Sequence, residues 1–123
     1  MTARVLICDD EPALRELMRV ALVGDYEFAE AESVAESLEI GDEFRPDVAL
    51  VDVMMPGGSG LDVVRRLADD PVLREAKCVV VSAFAAETDQ HEAQEAGATA
   101  FVSKPFDPDD LSATVASLLV GKR

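Results

Sequence analysis

Short apolar runs alternate along this chain with longer polar segments whose apolar residues fall at helical spacing. The runs are RVLICD (4–9), EFAEA (27–31), DVALVDV (47–53), KCVVVSA (77–83) and TAFVS (99–103), rich in valine and mostly without strict alternation. An unalternating run turns apolar side chains to both sides of a pleated strand, so these segments predict strands buried on both faces. Between them, Leu14, Met18, Ala21 and Leu22 fall on one side of a helix, as do Leu111, Val115, Leu118 and Leu119 near the end. Ser33 with Glu36 reads as a capping box, and Asp107 before Pro108 as an N-cap followed by a first-turn proline. Gly97 ends the fourth helix, and GDEFRPD reads as the loop before the third strand. Five strand–helix units in succession predict an α/β fold, a parallel sheet with helices on both faces.

Composition fits that picture. A chain of 123 residues that is 49% hydrophobic is read as a single domain over 1–123 with a substantial core, without repeats or a linker. The 25 acids against 11 bases, a net charge of −14, oppose direct binding to nucleic acid or to an anionic membrane. Metal ions and basic protein surfaces are the natural partners of such a chain. Cys8 and Cys78 lie inside apolar runs and read as packing residues, and no basic segment followed by a long apolar one opens the chain. A cytoplasmic protein with both thiols reduced is expected. No apolar stretch approaches the ~20 residues of a membrane span.

The chemistry gathers where the strands end. Asp9 and Asp10 close the first, Asp52 the third and Ser82 the fourth, while Lys104 and Pro105 follow the fifth. In an open α/β sheet, ligands bind outside the carboxyl ends of the strands, where the strand order reverses. Two carboxylates ~5 Å apart at an effective dielectric near 20 repel by roughly 3 kcal/mol, so adjacent aspartates need a compensating charge. A divalent cation among three carboxylates supplies it, and an all-oxygen set favours Mg²⁺ or Mn²⁺. Lys104 adds an ammonium and Ser82 a hydroxyl. Metal, ammonium and hydroxyl around a free carboxylate read as a site that receives a phosphoryl group. His91, amid ETDQHEAQE, reads as a solvated surface histidine.

The set Asp9-Asp10, DVMMPGGSG beginning at Asp52, VVVSA with Ser82, and AFVSKPF with Phe101, Lys104 and Pro105 resembles the CheY-like receiver domain of two-component response regulators. The resemblance covers essentially the whole chain, in order. It implies the flavodoxin-like (βα)5 fold with sheet order 2-1-3-4-5. It also implies that Asp52 takes a phosphoryl group from a histidine kinase or histidine phosphotransfer protein. Asp9, Asp10, Asp52 and the backbone carbonyl of Met54 would hold Mg²⁺, with Mn²⁺ as a substitute. Ser82 and Lys104 would bind phosphoryl oxygens, Ser82 and Phe101 would form the switch that alters partner binding, and the Lys104–Pro105 bond would be cis. Such a domain is a signalling switch that catalyses only its own phosphorylation and dephosphorylation. Its output partner, or the output domain of a longer chain, stays unspecified.

Some positions depart from the commoner family pattern. Serine stands at 82 for threonine and phenylalanine at 101 for tyrosine, so Phe101 offers no hydroxyl to a partner. Gly57 and Gly58, besides the expected Gly60, should loosen the loop after Asp52. By family geometry Met54 and Phe84 rim the phosphoryl group, and two bulky apolar groups there predict slow loss of phosphate. From Glu87 onward the acids Glu87, Asp89, Glu92, Glu95, Asp107, Asp109 and Asp110 outnumber Lys104, Lys122 and Arg123. A dimer built on reciprocal salt bridges across that face is therefore not expected, and a basic partner surface is. Three alternatives are weighed. A pseudo-receiver would bind partners without phosphorylation, yet every acceptor-site residue is present. A metal-dependent phosphohydrolase would carry an aspartate two residues after its nucleophile, where this chain has Met54. An FMN-binding flavodoxin would need a glycine- and hydroxyl-rich loop after the first strand, where this chain has the phosphate-repelling DDEP.

Overall fold

The computed structural model describes residues 2–83 and 87–120, with residues 87–89 by their backbone alone. In chain order the elements are β1 (Ala3–Cys8), α1 (Pro12–Ala21), β2 (Tyr26–Ala31), α2 (Val34–Phe44), β3 (Val48–Val51), β4 (Met54–Met55), β5 (Gly58–Ser59), α3 (Gly60–Asp69), β6 (Lys77–Ser82), α4 (Glu87–Ala96), β7 (Ala100–Ser103) and α5 (Pro108–Leu119). Five strands pair in parallel in the order β2-β1-β3-β6-β7. Because β4 and β5 form a separate antiparallel hairpin, β6 and β7 are the fourth and fifth strands of the sheet, and the order is the flavodoxin-like 2-1-3-4-5.

The absence of alternation in the strands has a direct cause. Leu6 and Cys8 of β1 face one apolar layer with Val51, Val64, Leu67 and Val80, while Val5 and Ile7 face another with Met18, Leu50, Leu111 and Val115. The first layer lies under α2, α3 and α4, the second under α1 and α5. Both faces of every central strand must therefore be apolar. Burying each of these aliphatic side chains contributes about 1.5–3 kcal/mol. The helical positions read from the sequence, Met18 in α1, Leu22 just after it, and Leu111, Val115, Leu118 and Leu119 in α5, all pack into the second layer.

The structure corrects several boundaries. The GDEFRPD segment is not simply a loop: α2 continues through Phe44 and stops at Arg45, whose φ of 52° is left-handed. Gly41 is buried in that helix, where an added Cβ would make only ordinary contacts with Leu67 and Leu6 at 3.7 and 3.9 Å. At the other end of α2, Ser33 accepts the Glu36 N–H as expected, but the Glu36 carboxylate accepts from Glu32 N–H rather than from the cap residue. A full capping box occurs instead at Ser59 and Asp62, opening α3. Asp107 caps α5 through the N–H groups of Asp109 and Asp110, and α4 ends before Gly97, whose φ is 116°.

Of the two glycines after Pro56, expected to loosen their loop, Gly57 lies with Pro56 in the turn of the β4–β5 hairpin and Gly58 opens β5 opposite Met55, with φ of 89° and 142° that few other residues adopt. Val34 N–H donates to the Pro56 carbonyl at 3.2 Å and ties the turn to the start of α2.

Candidate metal and acceptor site

The ladder of the parallel sheet runs one residue past the strands and delivers the polar side chains to one edge. Asp9 N–H donates to the Ala31 carbonyl at 3.0 Å, Asp52 N–H to Cys8 at 2.9 Å and Lys104 N–H to Ser82 at 2.8 Å. Backbone pairing thus sets where Asp9, Asp52 and Lys104 begin. Ser82 closes β6, almost wholly buried.

One ammonium joins the two buried acids. Lys104 Nζ donates to Asp9 Oδ2 at 2.9 Å and to Asp52 Oδ2 at 3.2 Å. The remaining oxygens are met by the chain itself, Asp9 Oδ1 by Glu11 N–H at 2.9 Å and Asp52 Oδ1 by Met54 N–H at 3.2 Å. Asp9 is 0% exposed and Asp52 6%, whereas Asp10 is exposed and no described residue donates to its carboxylate. Asp9, Asp10 and Asp52 each bring one carboxylate oxygen within 4.8 Å of the others. Three carboxylates against one ammonium leave surplus negative charge on a compact, all-oxygen set, which fits a hard divalent cation such as Mg²⁺.

Burial pushes the Asp52 carboxyl above its ordinary range, and the Lys104 charge and the Met54 N–H pull it back only in part. For Lys104, burial works against the charge, but hydrogen bonding to Asp9 and the charges of Asp52 and Asp9 prevail, and its pKa rises. The lysine is a fixed cation at neutral pH. Cys8 and Cys78 are pushed up to about 12 by burial, so both thiols stay protonated and pack rather than react.

Other candidates lie farther out. Phe101 is half-buried on β7, packs against the layer under α2, α3 and α4, and borders a cavity of about 150 Å³ with Gln90, Ala93 and Gln94. Met54 stands on β4 and is 60% exposed. Pro105 follows a cis peptide bond. Phe84 lies outside the described residues. His91 is on the surface of α4, its Nε2 2.9 Å from Glu95 Oε1. Glu92, Glu95, Asp107, Asp109 and Asp110 are exposed, while the side chains of Glu87 and Asp89, and Lys122 and Arg123, lie outside the described residues.

Three features go beyond what the linear sequence signalled, Gly60 being expected there but not the contact it makes. Arg15 on α1 donates from Nη1 to the Asp9 carbonyl at 2.6 Å and from Nε to Glu30 at 2.9 Å. Only the register that sets Ile7 beside Glu30 brings that acid within reach. Gly60 begins α3 so close to the acceptor that a Cβ would lie 1.9 Å from the Asp52 carbonyl oxygen. An apolar groove of about 640 Å³, bordered by Leu14, Leu17, Val20, Pro105 and Phe106, runs beside Lys104.

Residues 5–116 match the family model of the response regulator receiver domain. The chain is 34% identical over 116 residues to the phosphate regulon transcriptional regulatory protein PhoB of Pseudomonas aeruginosa, covering 94% of this chain but only 51% of that regulator. It is 33% identical to the polar-differentiation response regulator DivK of Brucella ovis, over 97% of this chain and 98% of DivK. Among solved structures, the chemotaxis response regulator CheY4 of Vibrio cholerae superposes with a TM-score of 0.89 at 27% identity, covering 97% of this chain and all of that one. The chain therefore spans about half the length of PhoB and nearly all of DivK.

Proposed function

This chain belongs to the response regulator receiver domain family, and from that premise we propose that it is a signalling switch operated by phosphorylation of Asp52. The observation that carries the reading is the Lys104 ammonium bridging Asp9 and Asp52 beside a cluster of three carboxylates. Asp9, Asp10, Asp52 and the Met54 carbonyl would hold Mg²⁺ or Mn²⁺, which supplies charge neutralisation on the phosphoryl oxygens. The Asp52 carboxylate attacks the phosphorus of a phosphohistidine on a sensor kinase or phosphotransfer protein. An aspartyl O–P bond forms as the histidine N–P bond breaks, and the imidazole leaves. Lys104 turns its donors from Asp52 to the incoming phosphoryl oxygens, and the Ser82 hydroxyl binds another. The side chain of Phe101 then repacks and alters the face it borders. The acids on that face suit a basic partner better than a second copy of the same chain. The catalysis serves only the domain itself. Two residues after Asp52, a phosphohydrolase would need an acid where this chain has Met54. Among the described residues no helix is long and apolar enough to cross a membrane, and we place the protein in the cytoplasm with its kinase.

Loading the protein with Mg²⁺ and fluoroberyllate, a phosphoryl mimic, should shift the NMR resonances of Phe101 and of the α4 and β7 amides while the sample still sediments as a monomer. Shifts confined to the acidic site would contradict the switch, and a dimer broken by Glu92→Ala would contradict the assignment of a basic partner.

Phosphate should be lost slowly, because an exposed thioether at Met54 cannot orient an attacking water. Positioning of a water by a polar group accelerates hydrolysis by about 10²-fold. Met54→Asn should therefore shorten the lifetime of phosphorylated Asp52 about 10-fold, and Met54→Asn with Phe84→Glu should shorten it further; unchanged decay in the double variant would show that these side chains do not govern the water.

A further inference from the structure

Each buried acid of the cluster has donors of its own: Asp9 has Glu11 N–H and Lys104, and Asp52 has Met54 N–H and Lys104. Asp10 has none among the described residues, and its carboxylate is solvent-exposed. Its place within 4.8 Å of the other two oxygens is therefore set by the backbone that carries it. That backbone is the peptide between Asp9 and Asp10, whose carbonyl oxygen receives the Arg15 guanidinium at 2.6 Å. Arg15 is 14% exposed and is held from behind by Glu30 at 2.9 Å, while Glu30 is held in turn by Arg19 at 2.5 Å. The N–H of Asp9 is fixed by Ala31, the residue after Glu30, so the edge strand β2 grips Asp9 on both its amide and its carbonyl side.

We infer that Arg15 is a positioning residue for the cation site, orienting the Asp9–Asp10 peptide so that the Asp10 carboxylate meets those of Asp9 and Asp52. The inference rests on reading those three acids as a cation site. Without the guanidinium the peptide can rotate, and Asp10, lacking any other anchor, leaves the cluster. Glu30 acts one step removed, by holding the fork of Arg15 in line. Groups that orient metal ligands in this way change affinity by about 10–100-fold when removed.

The test is Mn²⁺ binding to the unphosphorylated chain, read from the EPR signal of the free ion, which needs no phosphoryl transfer. Arg15→Met keeps the aliphatic stem on α1 and removes the donors. It should weaken Mn²⁺ about 10-fold, Arg15→Lys should weaken it less, and Glu30→Gln should weaken it in the same direction should Arg15→Met prove poorly folded. Urea midpoints identify the folded variants. The deciding comparison is made in an Asp10→Asn background, where Arg15→Met should add nothing because both changes remove the same contribution. Undiminished Mn²⁺ affinity in folded Arg15→Met, or an equal loss with and without Asp10, would overturn the positioning role and leave the cation site intact. If the native chain takes up no Mn²⁺, or Asp10→Asn binds it as well as the native chain, the cation site itself fails and Arg15 falls with it.

Discussion

Gly60→Ala should lower the unfolding free energy by about 3 kcal/mol, at the upper end of the cost of forcing extra volume into a packed site. The added methyl would lie 1.9 Å from the Asp52 carbonyl oxygen, 2.8 Å from its carbonyl carbon and 3.0 Å from Val51 Cγ1. The first two are backbone and cannot swing aside as a side-chain end would. The start of α3 is also bonded to the same turn, because Gly60 N–H donates to the Val53 carbonyl at 2.7 Å. Helix and acceptor strand must separate, and the loss is large against the 5–15 kcal/mol typical of a whole domain. The contrast is Gly57, where a Cβ would meet nothing within 4 Å and only the φ of 89° resists substitution. Gly57→Ala should cost about 1 kcal/mol. Urea unfolding of the two variants checks both values; equal midpoints would show that the contact at Asp52 relaxes without cost.

Lys104→Met should slow phosphorylation of Asp52 by about 10²–10³-fold, the usual consequence of removing one preorganised donor from a charge-developing site. The same substitution should leave Mg²⁺ affinity unchanged or improve it. The ammonium and the cation compete for the Asp9 and Asp52 oxygens, and Lys104 occupies one oxygen of each. The metal-free variant should be less stable at neutral pH, since two buried carboxylates lose their shared donor. The sign of its pH response follows. Burial already raises the Asp52 carboxyl, and losing the lysine raises it further. A carboxyl whose pKa is higher in the folded than in the unfolded chain destabilises the fold as pH rises through that interval, so acidification should restore part of the loss. Added Mg²⁺ should restore it at neutral pH. Rate measurements with a small phosphodonor, alongside Mg²⁺ titration, separate the two roles. A variant that lost metal affinity and rate together would make Lys104 a structural support only.

The layered α/β architecture was legible because its cause is local. A strand covered on both sides has to be apolar at every position, and VALV of β3 and VVV of β6 say so directly. Asp9, Asp52, Ser82 and Lys104 were legible for the same reason, since they terminate those runs. What the sequence hid depends on register and on close approach. Arg15 and Glu30 meet only because β1 and β2 align Ile7 with Glu30. The last turn of α2 was read as a loop because Gly41, Asp42 and Glu43 are weak or polar helix residues. The burial of Gly41 and the packing of Phe44 against the layer that holds Leu6 and Leu67 override that preference. The β4–β5 hairpin is two residues on each side, too short for any periodic pattern, and only Gly57 in its turn and Gly58 beside it, both at positive φ, mark it.

The proposed switch stands on Asp52 as the residue that takes the phosphoryl group, and the decisive measurement is intact mass after incubation with Mg²⁺ and a small phosphodonor such as acetyl phosphate. The native chain should gain the mass of one phosphoryl group, lose it on treatment with hydroxylamine as an acyl phosphate does, and gain nothing when Mg²⁺ is chelated. Asp52→Asn should gain nothing under any of these conditions. A native chain that stays unmodified, or an Asp52→Asn chain that takes up phosphate as readily as the native one, would contradict the account.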